Sequence, residues 1–383
     1  MTAAAAAVVH AGDRTRVTRL TLDERTVIRK EPLGTDAQRR LRHEVVMLER
    51  LRGAEGVAQL VDAPQYPDSI VLEDAGRTSL AERTKPLAGD DLIQLAVQLT
   101  RALAAMHGRG VMHRDFAPAN IVLSPSGAPC LVDFALATAF AEIRPEFTHH
   151  SEIVGALPYL APEQTGRTGR PVDQRADLYA LGATLYELAT GEPPFGTGDP
   201  LRLTHDHLAR VPVAPAETNP ALPGALSEIV MHLLEKESDR RYQSAEGVLY
   251  DLERLRDGQT EPIGSHDVPP RLLAPSGLVG RDDEVAALEA AFEAARTGEC
   301  RVVLVTGAPG VGKTALVNEL RPAVTGGDGW FVAGKFDQYR RDLEFDGVYQ
   351  VFRAWAGCCC RSRRTNWPSS ASGSWRRSVP TPG

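Results

Sequence analysis

The chain has 383 residues, of which 43% are hydrophobic and 24% charged, with a formal net charge of −7. That length carries two or three domains and that composition buries a core, while the acidic balance excludes a general nucleic-acid binder. The apolar run Ala3–Val9 is too short to span a bilayer and lacks the basic flank of a signal peptide. Longer apolar stretches are broken by charges such as Glu187, so the sequence reads as cytoplasmic with no membrane segment.

Strand-like and helix-like patterns alternate from residue 7 to residue 257. An early strand pair brackets Gly12-Asp13-Arg14-Thr15-Arg16-Val17, where a glycine lets backbone amides approach a phosphate. It then carries Val27-Ile28-Arg29-Lys30, whose β-branched pair suits a strand. A helix is predicted over 36–52, with Leu41, Val45, Leu48 and Leu51 on one apolar face and Glu44 at its edge.

Further on come His113-Arg114-Asp115-Phe116-Ala117-Pro118-Ala119-Asn120, an apolar strand–turn–strand over 121–132, and Asp133-Phe134-Ala135. One carboxylate, Asp115, stands five residues before the amide of Asn120, and a second, Asp133, follows the hairpin. That spacing suits phosphoryl transfer: one carboxylate orients a hydroxyl, while the amide and the other carboxylate hold Mg²⁺ on nucleotide phosphates. Cys130 and Cys300 lie in apolar strand-like contexts and are expected in the core. Cys358, Cys359 and Cys360 are consecutive and cannot present three thiolates to one tetrahedral metal, so no zinc site is expected.

An amphipathic helix is predicted over 244–255. Residues 258–276, with Pro262, Pro269, Pro270 and Pro275, read as an extended linker. A helix follows over 282–296, with Val285, Leu288, Ala291 and Phe292 at helical spacing. The run 301–305 is expected to be a buried strand of a parallel sheet. It leads into Gly307-Ala308-Pro309-Gly310-Val311-Gly312-Lys313-Thr314 and another helix, the strand–turn–helix context of a phosphate-binding loop. The backbone amides around Gly307, Gly310 and Gly312 wrap the phosphates, Lys313 meets the terminal ones, and Thr314 binds Mg²⁺. A second strand is predicted over 329–334. No apolar strand ending in an aspartate follows, so this domain is expected to be truncated and not to hydrolyse its nucleotide. Residues 357–383 have no apolar periodicity and no acidic residue, and are expected to be a disordered or out-of-frame tail.

The stretch 113–135 resembles the catalytic loop and metal-binding turn of protein kinases. Further motifs of that family follow in its order. Lys30 and Glu44 match the lysine–glutamate pair, and Ala161-Pro162-Glu163 the end of the activation segment. Asp177 matches the aspartate that braces the catalytic loop, and Arg241 the arginine that pairs with Glu163. With Ser227-Glu228-Ile229-Val230, Ala161–Arg167 and Gly334–Tyr339, residues 7–356 are similar to the N-terminal part of bacterial signalling proteins. Those proteins join a Ser/Thr-kinase-like domain to an AAA-type ATPase domain.

The resemblance implies an α+β protein-kinase-like bilobal fold over 7–257, the linker 258–276, and a fragment of an α/β P-loop NTPase domain over 277–356. It implies ATP and Mg²⁺ as cofactors. Asp115, Lys30 and Glu44 are the implied catalytic residues, Gly12 and Lys30 touch the nucleotide, and Asn120 and Asp133 bind metal. The implied partner is a protein substrate with a Ser or Thr hydroxyl, with sensor and histidine-kinase modules missing from this chain. The sequence departs from the kinase pattern at Ala117, where a lysine is usual, at Ala156, where a threonine is usual, and at Ala135, where a glycine is usual. The first two changes weaken electrostatic stabilisation of the transferring group, Ala135 restricts the backbone but leaves Asp133 available for Mg²⁺, and a nucleotide-binding regulatory scaffold is the alternative reading. Thr148 and Ser151 are candidate regulatory phosphosites.

Overall fold

Alternating apolar and polar side chains build the first layer of the molecule. Strands β1 (Ala7–Ala11), β2 (Thr15–Leu22), β3 (Arg25–Pro32) and, beyond a helix, β4 (Ile70–Glu73) form an antiparallel sheet in the order β1-β2-β3-β4. Leu20, Val27 and Val71 close a small apolar cluster on this sheet. The register sets Lys30 opposite Val17 on one side and Ile70 on the other, so the lysine sits within the sheet and not on its rim. Helix α1 (Ala37–Arg50) packs beside β3 and buries Leu41, Glu44, Met47 and Leu48. Glu44 therefore belongs to the buried stripe itself.

The second lobe is mainly helical. It begins with the short strand β5 (Thr78–Ser79) and the long helix α2 (Gly89–Gly108). Four short strands follow: β6 (Val111–Met112), β7 (Ile121–Leu123), β8 (Pro129–Leu131) and β9 (Thr138–Ala139). β5, β7 and β8 form one small sheet and β6 pairs with β9, so the segments on either side of residues 113–120 are both clamped. Helix α3 (Arg175–Thr190) is buried along its length except at Thr190, the all-round burial expected of a central helix. It stops at Gly191, whose φ of 100° favours glycine.

Helices α4 (Pro200–Ala209), α5 (Pro215–Thr218), α6 (Gly224–Leu233) and α7 (Ala245–Arg256) complete this lobe. α6 approaches α3 at Gly182, where a Cβ would lie 2.6 Å from that of Leu233. Caps fix two helix starts: Asp199 accepts from the amides of Leu201 and Arg202, and Ser244 Oγ from that of Gly247.

The structure, a computed structural model, describes residues 7–140, 156–168, 170–259, 262–268, 278, 280–308, 310–326 and 331. Phe331 apart, these fall in one unit, Met1–Asp328. Among the described residues, no helix is long and apolar enough to cross a membrane.

Two expectations differ from the structure. Part of the stretch read as an extended linker packs on the second lobe. Asp267 accepts hydrogen bonds from Gln243 N (2.6 Å), Ser244 N (3.1 Å) and Ser244 Oγ (2.9 Å), and Gly264 N donates to Asp251 (2.7 Å). The first amides of a helix have no partner within it, and Asp267 supplies one at the start of α7. Second, 301–305 forms no strand, with Val302 91% and Leu304 84% exposed, and Cys300 is exposed as well. A strand is buried only by neighbours on its edges and faces, and among the described residues none pairs with it.

Helix α8 (Asp282–Arg296) forms over the predicted residues, and α9 (Lys313–Asn318) and α10 (Leu320–Gly326) follow the glycine-rich loop. Just beyond α9, Glu319 receives Arg170 Nη1 at 2.9 Å and Nη2 at 3.2 Å, while Arg170 Nε reaches Glu237 at 3.2 Å. The expected strand 329–334 (but for Phe331), the sites Thr148 and Ser151, Gly334–Tyr339 and the tail 357–383 lie outside the described residues.

Candidate active site

Asp177, fully buried at the first turn of α3, organises the loop. Its carboxylate accepts the amides of His113 (2.8 Å) and Arg114 (2.8 Å) and the His107 ring Nε2 (2.9 Å). Burial opposes its charge, but the His107 hydrogen bond and the adjacent donors win and hold it below the usual carboxylate range. Arg114 has a φ of 65°, which costs a non-glycine residue roughly 1–2 kcal/mol. The hydrogen bond that its amide donates to Asp177 fixes it there. His113 donates from Nε2 to Val132 O at 3.1 Å and packs edge-on to Phe116 and tilted against Phe134.

The loop so held presents Asp115. Its Oδ2 accepts from Asn120 Nδ2 at 2.9 Å, and the same amide nitrogen donates to Asp115 O at 2.9 Å. The Asn120 side-chain carbonyl is thereby turned away from Asp115. Asp115 Oδ1 accepts from Ala156 N at 2.8 Å. Burial raises the Asp115 pKa against the opposing effect of these donors. Asn120 O accepts from Val132 N at 3.0 Å, which ties the amide to the residue before Asp133.

Across from this loop, Lys30 Nζ donates to both oxygens of Glu44 (2.6 and 2.8 Å) and to Asp133 Oδ1 (2.7 Å). Burial works hardest against the ammonium, yet the two carboxylates outweigh it and raise the Lys30 pKa. Burial also works against the Asp133 charge, and Lys30 reverses the balance, so the Asp133 pKa is lowered. Asp133 is in the left-handed region, φ 64°. Phe134 N, donating to Glu44 Oε1 at 3.2 Å, ties that turn to α1. His43, which the sequence reading missed, adds a second tie through Nε2 to Ala137 O at 2.8 Å.

The structure thus brings Lys30, Glu44 and Asp133 into one contact set and Asp115 with Asn120 into another, linked through the hairpin. Oxygen donors suit Mg²⁺: Asp133 Oδ2 and Asn120 Oδ1 have no hydrogen bond among the described residues, and the Asp133 side chain is 44% exposed. Gly12 stands apart. Its N–H donates to Thr15 O at 2.9 Å, so that amide is used within the β1–β2 turn. Glu163 and Arg241 form the expected buried pair at 2.8 and 3.2 Å. The sequence reading also missed Tyr159, whose hydroxyl donates to Glu187, and Lys85, which donates to the other Glu187 oxygen. Neither has a local sequence signal.

The second candidate site is the glycine-rich loop. Gly307, Gly310 and Gly312 have φ of 155°, 81° and 90°, conformations that side chains resist. Lys313 Nζ folds over the loop onto Gly307 O and Ala308 O, both at 2.8 Å, and Thr314 is the next residue of α9. A cavity of about 390 Å³ beside the loop is lined by Leu278, Leu288, Val305, Gly307, Lys313 and Leu316.

Known families match the two regions in turn: the protein kinase domain over residues 16–250 and the AAA ATPase domain over 277–377. The second match runs past 356 into the arginine-rich end of the chain. Over 195 residues the chain is 35% identical to the serine/threonine-protein kinase PknB of Mycolicibacterium smegmatis, covering 51% of this chain and 30% of that protein. Over 204 residues it is 35% identical to the probable serine/threonine-protein kinase SCO3848 of Streptomyces coelicolor, covering 52% and 28%. A probable serine/threonine-protein kinase of Clostridium acetobutylicum is 34% identical over 191 residues, covering 49% and 28%. The chain therefore spans less than a third of the length of these curated relatives.

Proposed function

Since the chain belongs to the protein kinase domain family, we propose that residues 7–257 transfer the γ-phosphoryl group of ATP to a serine or threonine hydroxyl of a protein. The observation that carries this reading is Lys30, buried and held between Glu44 and Asp133 at 2.6 and 2.7 Å. A buried cation fixed at a defined point is what an anionic phosphate chain requires.

In the proposed reaction the substrate oxygen bonds to the γ-phosphorus as the bond to ADP breaks, and the hydroxyl proton passes to the Asp115 carboxylate and then to solvent. Burial, which raises the proton affinity of Asp115, suits that acceptor role. Asp133 and Asn120 are the proposed Mg²⁺ ligands, and the metal when bound neutralises phosphate charge. Lys30 meets the phosphates, and Glu44 keeps it extended from β3. The loss of a cation at Ala117 predicts slow turnover, since nothing there compensates charge on the transferring group.

The kinase and AAA ATPase families both imply ATP binding. The same proposal assigns a second nucleotide to Gly307, Gly310, Gly312 and Lys313, with Thr314 toward its Mg²⁺. It places the boundaries between the regions at 257 and 277, and it locates the activity in the cytoplasm, where ATP is supplied.

The test is phosphate transfer from γ-labelled ATP by the full chain, with Asp115→Asn and Lys30→Met alongside. Transfer abolished in both variants supports the reading. Transfer no greater in the wild type than in the variants, with nucleotide binding intact, favours a nucleotide-binding scaffold.

A further inference from the structure

We propose that the backbone N–H of Ala156 is a positioning group for phosphoryl transfer: it sets the plane of the Asp115 carboxylate, and Tyr159 holds it in place through Glu187 and Lys85. The proposal rests on the kinase reading above and assigns a role that the side chains at 117 and 156 cannot fill.

Asp115 has one donor on each oxygen, Ala156 N on Oδ1 and Asn120 Nδ2 on Oδ2. Among the described residues no cation pairs with it, and the neighbouring Ala117 contributes only a buried methyl group. A carboxylate tied at one oxygen swings about that bond. Tied at both, by donors from separate segments, it has a fixed plane and still keeps one lone pair on each oxygen for an incoming hydroxyl. Asn120 belongs to the same loop as Asp115 and moves with it. Ala156 is the donor that reaches the Asp115 carboxylate from outside that loop.

Ala156 is in turn held firmly. It opens a short turn, with Tyr159 N donating to Ala156 O at 3.0 Å and Leu160 N to Leu157 O at 3.3 Å. The Tyr159 phenol donates to Glu187 Oε2 and Lys85 Nζ to Glu187 Oε1. Glu187 stands on the buried helix α3, and the Lys85 and Glu187 side chains are only 11% and 10% exposed. A charge-assisted, part-buried triad therefore links the central helix to the turn, and the turn's first amide to the reacting carboxylate.

The test uses the full chain, with steady-state kinetics on ATP and myelin basic protein as a general Ser/Thr acceptor. Ala156 has φ −75°, within the range of proline, so Ala156→Pro deletes the N–H without demanding a new φ, whereas Ala156→Gly keeps it. Tyr159→Phe removes only the hydroxyl. Ala156→Pro and Tyr159→Phe are expected to lower kcat roughly tenfold to a hundredfold, the scale of a misplaced catalytic group, with KM for ATP unchanged. Ala156→Gly is expected to stay near wild type.

A spectroscopic arm does not depend on turnover. The Ala156 amide proton, deshielded by the carboxylate, should move upfield in Asp115→Ala. A wild-type kcat in Ala156→Pro, an equal loss in Ala156→Gly, or an unmoved amide proton each overturns the proposal. No Asp115-dependent transfer in the wild type overturns the kinase reading and the catalytic half of this one. An upfield shift seen in that case supports the contact alone.

Discussion

Removing one partner of the Glu163–Arg241 pair should destabilise the kinase-like lobe far more than removing both. The side chains are 2% and 0% exposed and meet through two hydrogen bonds, at 2.8 and 3.2 Å. Glu163→Ala leaves the Arg241 guanidinium buried against two backbone carbonyls, Arg175 O and Glu235 O. Breaking such a pair costs about 3–5 kcal/mol. For a lobe of roughly 240 residues, the unfolding entropy is about 0.5 kcal/mol per kelvin, so the melting temperature should fall by about 6–10 °C.

Glu163→Leu combined with Arg241→Met removes both charges and fills much the same volume. It leaves Glu235 O without its donor, which costs about 1–3 kcal/mol, so the double variant should recover roughly half of the loss. Circular dichroism melts of the full chain measure both shifts. A fall of less than about 2 °C in Glu163→Ala, or a double variant no more stable than the single one, would refute the reasoning from burial.

Lys236 lies over the Phe195 ring at 4.4 Å and donates to Asp206 O and the Tyr179 hydroxyl. Burial, and then the charge of Arg241, lower its pKa to about 7, against opposing pulls from Asp206 and Glu235. Between that value and the unfolded value of 10.5, the unfolded chain holds the extra proton, so stability should rise with pH there. Urea melts from pH 7 to 9 should show wild type gaining on Lys236→Met by up to about 1.4 kcal/mol per pH unit; parallel curves would count against it. Asp267→Ala should cost about 1–3 kcal/mol by leaving the Gln243 and Ser244 amides before α7 without their acceptor, read as a lower melting temperature, and an unchanged value would mean that 262–268 only rests on the lobe. Calorimetric titration with a non-hydrolysable ATP analogue should give two sites in the wild type and one each in Lys30→Met and Lys313→Ala. A single site abolished by one variant alone would remove the other site from the proposal.

Much of the candidate site was legible because its chemistry needs fixed residue types at short spacings. Asp115, Asn120 and Asp133 lie within one loop and hairpin, and the fourteen residues from Lys30 to Glu44 join a strand to the helix beside it. Contacts made by backbone atoms or across long separations left no such trace. The Ala156 N–H bond to Asp115 spans 41 residues, and Lys85 meets Glu187 across 102. Any residue but proline can donate the first, and nothing near either end announces the second. The run 301–305 misled for a related reason: its apolar residues report a tendency to pair, while the partner that would bury them is a property of the sheet.

The sequence by itself determined the identity and order of the candidate groups, because a carboxylate, an amide and a lysine cannot be exchanged for other side chains in the proposed chemistry. It also determined which usual groups are absent, at Ala117, Ala135 and Ala156. Only the tertiary structure decided which backbone donors reach the candidate groups. Folding carries an ordinary amide at 156 to within 2.8 Å of Asp115 and uses the Gly12 amide in its own turn. It also docks part of a proline-rich stretch against the start of α7 through Asp267. Every residue except proline brings the same N–H, so where that donor acts is set by the path of the chain and not by the side chain it carries.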